Sequence, residues 1–258
     1  MSELLTISPL LQALLATLLT WGVTALGAAL VLLTRRSHPL LLDALMAFGA
    51  GVMLASSYFS LLAPAITRAD EQGQLPWLIA AAGFLSGGLL LQMADFMLRR
   101  LPVAGRRRSI LLVSSVTLHN IPEGMAVGVS FGALAAAFSP AALSAAWMLA
   151  IGIALQNFPE GAAVSLPLRR EGLSRRRAFL FGQLSGFVEP IAGVLGCLLA
   201  VYVQWLLPFL LAFSAGAMVI VVIAELIPES QRSCRPAWMS LATMAGFTVM
   251  MMLDTALG

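Results

Sequence analysis

Long apolar runs, broken at intervals by short clusters of arginine, proline and glycine, organise this chain from end to end. A helix needs roughly 20 mainly apolar residues to cross the hydrocarbon core of a bilayer. Runs of that length fall near 8–33, 40–67, 75–98, 109–134, 140–166, 178–203, 206–229 and 235–256. They predict an all-α integral membrane protein of about eight transmembrane helices. The runs consume nearly all of the 258 residues, so the chain is read as a single polytopic domain, 1–258, with no room for a soluble one. The first run has no basic n-region and no small-residue cleavage site, and it is too long for a signal h-region. It is read as a retained first helix.

Composition agrees. Apolar residues make up 60% of the chain and charged residues 10%, against about 25% charged in ordinary soluble domains. The two cysteines, Cys197 and Cys234, lack CxxC spacing and a paired framework, so they read as small packing residues. A net charge of +3 could suggest nucleic acid, but the basic residues form no single patch. They sort by loop. All 15 are arginines. Arg35 and Arg36 follow run one; Arg99, Arg100, Arg106, Arg107 and Arg108 follow run three. Arg169, Arg170, Arg175, Arg176 and Arg177 follow run five, and Arg232 and Arg235 lie between seven and eight. Arg68 stands alone on the other side. Since a short-loop excess of Lys and Arg marks the cytoplasm, the N and C termini are expected outside, on the face opposite the arginine loops.

The runs also repeat one another. Ala47-Phe48-Gly49-Ala50-Gly51-Val52-Met53 in run two matches Ala212-Phe213-Ser214-Ala215-Gly216-Ala217-Met218 in run seven, and Pro64 and Pro228 follow them. Gly83-Phe84 with Asp95 in run three extends the match weakly to Gly246-Phe247 with Asp254 in run eight. The strongest pair is His119-Asn120-Ile121-Pro122-Glu123-Gly124 in run four and Gln156-Asn157-Phe158-Pro159-Glu160-Gly161 in run five. Under the predicted topology each pair runs antiparallel in the membrane, as in an inverted repeat. The architecture expected is 3+2+3: three helices, a central pair, three helices inverted.

That central pair carries the chemistry. Residues at i, i+1 and i+4 of a helix lie on adjoining faces, so His119 and Glu123 stack one turn apart with Asn120 beside them. Gln156, Glu160 and Asn157 repeat the arrangement. Each proline lacks an N–H and clashes with the carbonyl four residues earlier, which predicts broken helices with the Leu118 and Leu155 carbonyls freed at the same depth. A carboxylate at the bilayer centre costs at least roughly 2.5–3.5 kcal/mol. Glu123, Glu160 and, in run six, Glu189 of Gly186-Phe187-Val188-Glu189-Pro190 all lie there with no arginine inside any run. A bound metal or protons must supply the counter-charge. One imidazole among carboxylate and amide oxygens suits zinc, iron or manganese better than copper(I).

These residues resemble the ZIP family of zinc and iron transporters over essentially the whole chain. The His119–Gly124 segment is similar to the family's fourth-helix signature and Gln156–Gly161 to its fifth-helix partner. Glu189, Glu225-Leu226-Ile227-Pro228-Glu229 and Leu253-Asp254-Thr255 also resemble family segments, and bacterial members are the nearest likeness. The resemblance implies an eight-helix bundle with adjacent metal sites between helices four, five and six, and Glu160 bridging them. The first would use His119, Glu123, Gln156 and Glu160 with the Met53 sulfur in reach; the second would use Asn120, Asn157, Glu160 and Glu189. The sequence departs from the family where Gln156 replaces a frequent His and Ala224 precedes the seventh-helix acid. Asn157 also stands where some relatives carry Asp, which removes a charge from the second site. The histidine-rich cytoplasmic loop is absent, and His38 reads as a solvated loop residue.

The function expected is uptake of divalent transition metals, zinc first and iron, manganese or cadmium after it, into the cytoplasm by alternating access. Zinc is substrate rather than cofactor, and no enzymatic role is expected. Asp254 would serve the entrance; Asp43, Asp95, Glu225 and Glu229 would line an exit. The expected location is a cell membrane, the inner membrane of a bacterium. Expected partners are the metal ion and the bilayer, with a homodimer open and nucleic acid excluded. Two rivals are a metal-selective channel, which sequence leaves open, and an intramembrane metalloprotease, against which the lack of HExxH and of a second central His argues.

Overall fold

The computed structural model describes residues 8–33, 39–100, 107–136 and 138–257. Arg35, Arg36, His38 and Arg106 lie outside the described residues, as do the side chains of Arg99, Arg107, Arg108, His119 and Arg170. The described residues contain helices and no strand.

Eight helices follow one another: α1 (Pro9–Leu33), α2 (Leu40–Glu71), α3 (Pro76–Arg100), α4 (Arg107–Gly132), α5 (Pro140–Arg170), α6 (Arg175–Tyr202), α7 (Gln204–Gln231) and α8 (Pro236–Leu257). By length and composition α1, α2, α3, α5, α6, α7 and α8 can each cross a membrane; α4, 26 residues long, carries the central polar motif. Local chemistry sets the ends. Pro9, Pro76, Pro140 and Pro236 each open a helix where a missing N–H costs nothing. Ser139 caps α5 by accepting from the Ala142 N–H at 3.0 Å. Gly73 and Gly172 take left-handed φ values of 67° and 91° in the turns after α2 and α5, where a side chain would be strained.

The helices pack in pairs that the inverted repeat exchanges. α1 lies on α5 as α6 lies on α4, and α3 lies on α7 as α8 lies on α2. Glycines let the backbones touch. A Cβ on Gly51 would strike the Thr243 carbonyl and one on Gly246 the Phe48 carbonyl; reciprocally, one on Gly216 would strike Phe84 and one on Gly87 the Phe213 carbonyl. Gly87, not Gly83, therefore stands where Gly246 does, and the register that equates Asp95 with Asp254 is one helical turn from the Gly83–Gly246 match suggested by sequence.

The repeat extends to an irregularity. α2 widens into a π-helix over Ser57–Leu62 and α7 over Val222–Leu226, each just before its proline, Pro64 or Pro228. Such bulges shift the backbone ladder by one residue. In α2 the Met53 carbonyl at this shift is taken up by two hydroxyls, Ser57 Oγ at 2.6 Å and Ser56 Oγ at 3.2 Å.

At one end of the bundle Gln72 Nε2 donates to the Gln204 carbonyl and Gln74 Nε2 to the Trp205 carbonyl, at 3.1 and 2.8 Å. The α2–α3 and α6–α7 turns thus share a face. Trp77, Tyr202, Trp205 and Trp238 project outward at helix ends, the usual place for interfacial aromatics.

Candidate metal centre

α4 and α5 run unbroken through their prolines: Pro122 and Pro159 both lie inside continuous helix. The interruption expected there falls in α6 instead. Its halves are Arg175–Gly186 and Val188–Tyr202, joined at Phe187. Glu189 therefore sits in the first turn of the second half, where the helix dipole favours negative charge. The Gly-Phe-Val-Glu-Pro segment marked this place in the sequence.

Three side-chain amides close the triangle of α4, α5 and α6. Gln156 of α5 donates Nε2 to Glu123 Oε1 of α4 at 2.6 Å. Asn120 of α4 donates Nδ2 to the Ser185 carbonyl of α6 at 3.0 Å. Asn157 of α5 donates Nδ2 to Glu189 Oε1 and Oε2 of α6 at 3.0 and 2.9 Å. All five side chains in these contacts, Asn120, Glu123, Gln156, Asn157 and Glu189, are buried. With their N–H groups spent on neighbouring helices, the amides keep their oxygens. Asn120 Oδ1, Gln156 Oε1, Asn157 Oδ1 and Glu123 Oε2 are buried acceptors with no hydrogen-bond donor. Leaving such an atom unsatisfied costs about 1–3 kcal/mol each, a cost that cation coordination would offset. Glu160 is half-buried. Among the described residues, which leave out the His119 side chain, no three His, Cys, Asp or Glu side chains stand within joint ligating range.

Residues that sequence reasoning passed over hold this centre. Glycines from both copies of the motif allow the close approach: a Cβ on Gly124 would press on Glu189 of α6, and one on Gly161 would strike the Thr24 carbonyl of α1. Thr17, Thr20 and Thr24 form a buried stripe on α1. Thr24 Oγ1 donates to Glu189 Oε1 at 3.4 Å, and the Thr20 carbonyl accepts from Asn157 Nδ2 at 3.3 Å. A threonine every three or four residues in an otherwise apolar helix was the available signal. Gly49 of α2 packs on Gln156 and Pro159, and Met53 follows it by one turn, buried at 2% exposure.

The remaining predicted residues lie apart from this cluster. Asp254, partly buried on α8, accepts from Ser60 Oγ at 2.7 Å, beside the π-helical stretch of α2. Glu229 is exposed and pairs with Arg232 at 2.6 Å, which ties it to the surface. Asp43, Asp95 and Glu225 are partly buried.

Paired apolar helices around a buried, duplicated polar cluster define a polytopic membrane protein. Residues 100–254 match the family model described as ZIP Zinc transporter. Zinc transporter ZIP11 of Xenopus tropicalis is 40% identical over 332 aligned positions, which cover 97% of this chain and 98% of that protein. Zinc transporter GufA of Myxococcus xanthus is 37% identical, covering 95% of this chain and 98% of its own length. Zinc transporter ZIPB of Bordetella bronchiseptica is 37% identical, covering 92% and 79%. The chain belongs to the ZIP family.

Proposed function

We propose that this protein carries divalent transition-metal ions, zinc foremost, from outside the cell into the cytosol by alternating access. The observation that carries the reading is the pair of buried, donor-less oxygens Glu123 Oε2 and Gln156 Oε1, set side by side by the bond between α4 and α5. Their geometry leaves oxygen lone pairs for a cation. The ion sheds its water shell and is held by Glu123, Gln156 and Glu160, with His119, one turn before Glu123 in α4, as the nitrogen ligand and the Met53 sulfur in reach. Binding requires ionised carboxylates and a neutral imidazole, so loading releases protons. Asp254 stands at the entrance. The arginine loops face the cytoplasm, which places both termini outside, and the membrane is the inner membrane of a bacterial cell. Membership of a transporter family argues for a carrier and against a protease; saturation of flux with metal concentration separates a carrier from a channel.

The test is purified protein in liposomes loaded with a metal-sensitive dye and exposed to a panel of divalent ions. Saturable zinc entry, strongly reduced in a correctly inserted His119→Ala protein, is the expected result. Wild-type entry by that variant would remove His119 from the site.

A further inference from the structure

The second ligand set implied by resemblance requires Glu189 and Asn157 to face one ion together. The hydrogen bonds point them at each other instead. Glu189 is fully buried. Asn157 Nδ2 lies 3.0 Å from its Oε1 and 2.9 Å from its Oε2. Thr24 Oγ1 donates to Oε1 at 3.4 Å. The orientation of the Asn157 amide is fixed by its surroundings. Its Nδ2 faces three acceptors, the two Glu189 oxygens and the Thr20 carbonyl at 3.3 Å, so a flipped amide would set oxygen against oxygen. An amide nitrogen has no lone pair free for a metal, and its hydrogens repel a cation placed beside them. With aspartate at 157 the same space would hold two carboxylates and no donor.

We infer that Asn157, assisted by Thr20 and Thr24, closes Glu189 to metal, so that the centre loads a single ion on the Glu123–Gln156 side and Glu189 serves as a positioning residue joining α1, α5 and α6. Glu160 then ligates one ion instead of bridging two. The inference rests on the metal-carrier reading above and deepens it by fixing the number of ions carried at the centre.

The experiment is zinc X-ray absorption on the purified full-length protein at one and two equivalents of zinc, with bound metal counted after gel filtration. Paired metals in shared sites lie about 3.5–4 Å apart and give a metal–metal scattering shell. Wild type is expected to bind one central ion and to lack that shell. Asn157→Asp is expected to bind one further ion and to show it. A metal–metal shell in the wild-type protein overturns the inference, as does a folded Asn157→Asp protein that takes up no further ion. If Asn157→Asp does not fold, the wild-type spectrum decides alone. A wild-type protein that binds no zinc at the centre overturns the carrier reading itself, and the single-ion inference with it.

Discussion

Gln156 reaches across the interface of the two central helices and donates Nε2 to Glu123 Oε1 at 2.6 Å, both side chains buried. The bond joins the first position of the motif in α5 to the fifth position of its copy in α4. It orients the Glu123 carboxylate so that Oε2 is left without a donor, and it turns the Gln156 oxygen away from the bond.

Gln156→Ala removes both a proposed ligand and the donor that orients Glu123. A hydrogen bond to a charged group contributes about 1.5–3 kcal/mol, so zinc affinity measured by calorimetry should fall about tenfold to hundredfold. Unchanged affinity would show that Glu123 needs no orientation from α5.

Close backbone contact between α1 and α5 predicts an asymmetry between glycines. A methyl group at Gly161 would run into the Thr24 carbonyl, whereas one at Gly22 meets nothing within 4 Å. Gly161→Ala should therefore lower thermal stability by about 1–3 kcal/mol through overpacking. Gly22→Ala, in an open helix interior, should raise it by about 0.5–1 kcal/mol. Equal melting temperatures for the two variants would contradict the packing.

Orientation can be read with the native cysteines. Cys234, exposed in the α7–α8 turn, belongs to the arginine-bearing face, and Cys197 is buried in α6. A membrane-impermeant thiol reagent added to intact cells should leave both unlabelled and should label Cys234 alone once the membrane is opened. Labelling of Cys234 in intact cells would invert the topology.

Asp254 accepts from Ser60 through Oδ1, and its Oδ2 is buried without a donor; at the proposed entrance it attracts an arriving cation without holding it at the centre. Asp254→Asn should slow zinc uptake at low metal by about two- to fivefold, equivalent to roughly 0.4–1 kcal/mol. Uptake should recover when metal is abundant. A defect that persists at saturating zinc would move Asp254 into the transport step.

Much of this was legible in the sequence, and the boundary is instructive. The helices declare themselves because a span must be apolar and long. The duplicated motif does so because a carboxylate in hydrocarbon is too costly to occur without purpose. What was not legible depends on direction and depth. No spacing rule tells that the Asn120, Gln156 and Asn157 amides spend their N–H groups on three different neighbours, since that is decided by which carbonyls and carboxylates the packing brings near. Thr20 and Thr24 were hidden because threonine is unremarkable in a membrane helix until its facing partner is known. Pro122 and Pro159 suggested breaks, yet both helices continue, while the break at Phe187 carried only a weaker signal. The match of Gly83 to Gly246 placed one pair a turn out of register, because small residues recur at every turn of such interfaces.

On the proposed function, a divalent ion crosses the membrane by way of carboxylates on α4 and α5. Glu160→Gln keeps size and much of the hydrogen bonding while removing a charge that opposes the cation where screening is weak. The most direct measurement is zinc entry into liposomes, wild type beside Glu160→Gln, over a wide range of zinc concentration, with circular dichroism to establish equal helix content. Wild type should show saturable entry and Glu160→Gln almost none at any concentration. Equal entry by the two proteins would contradict the proposed function.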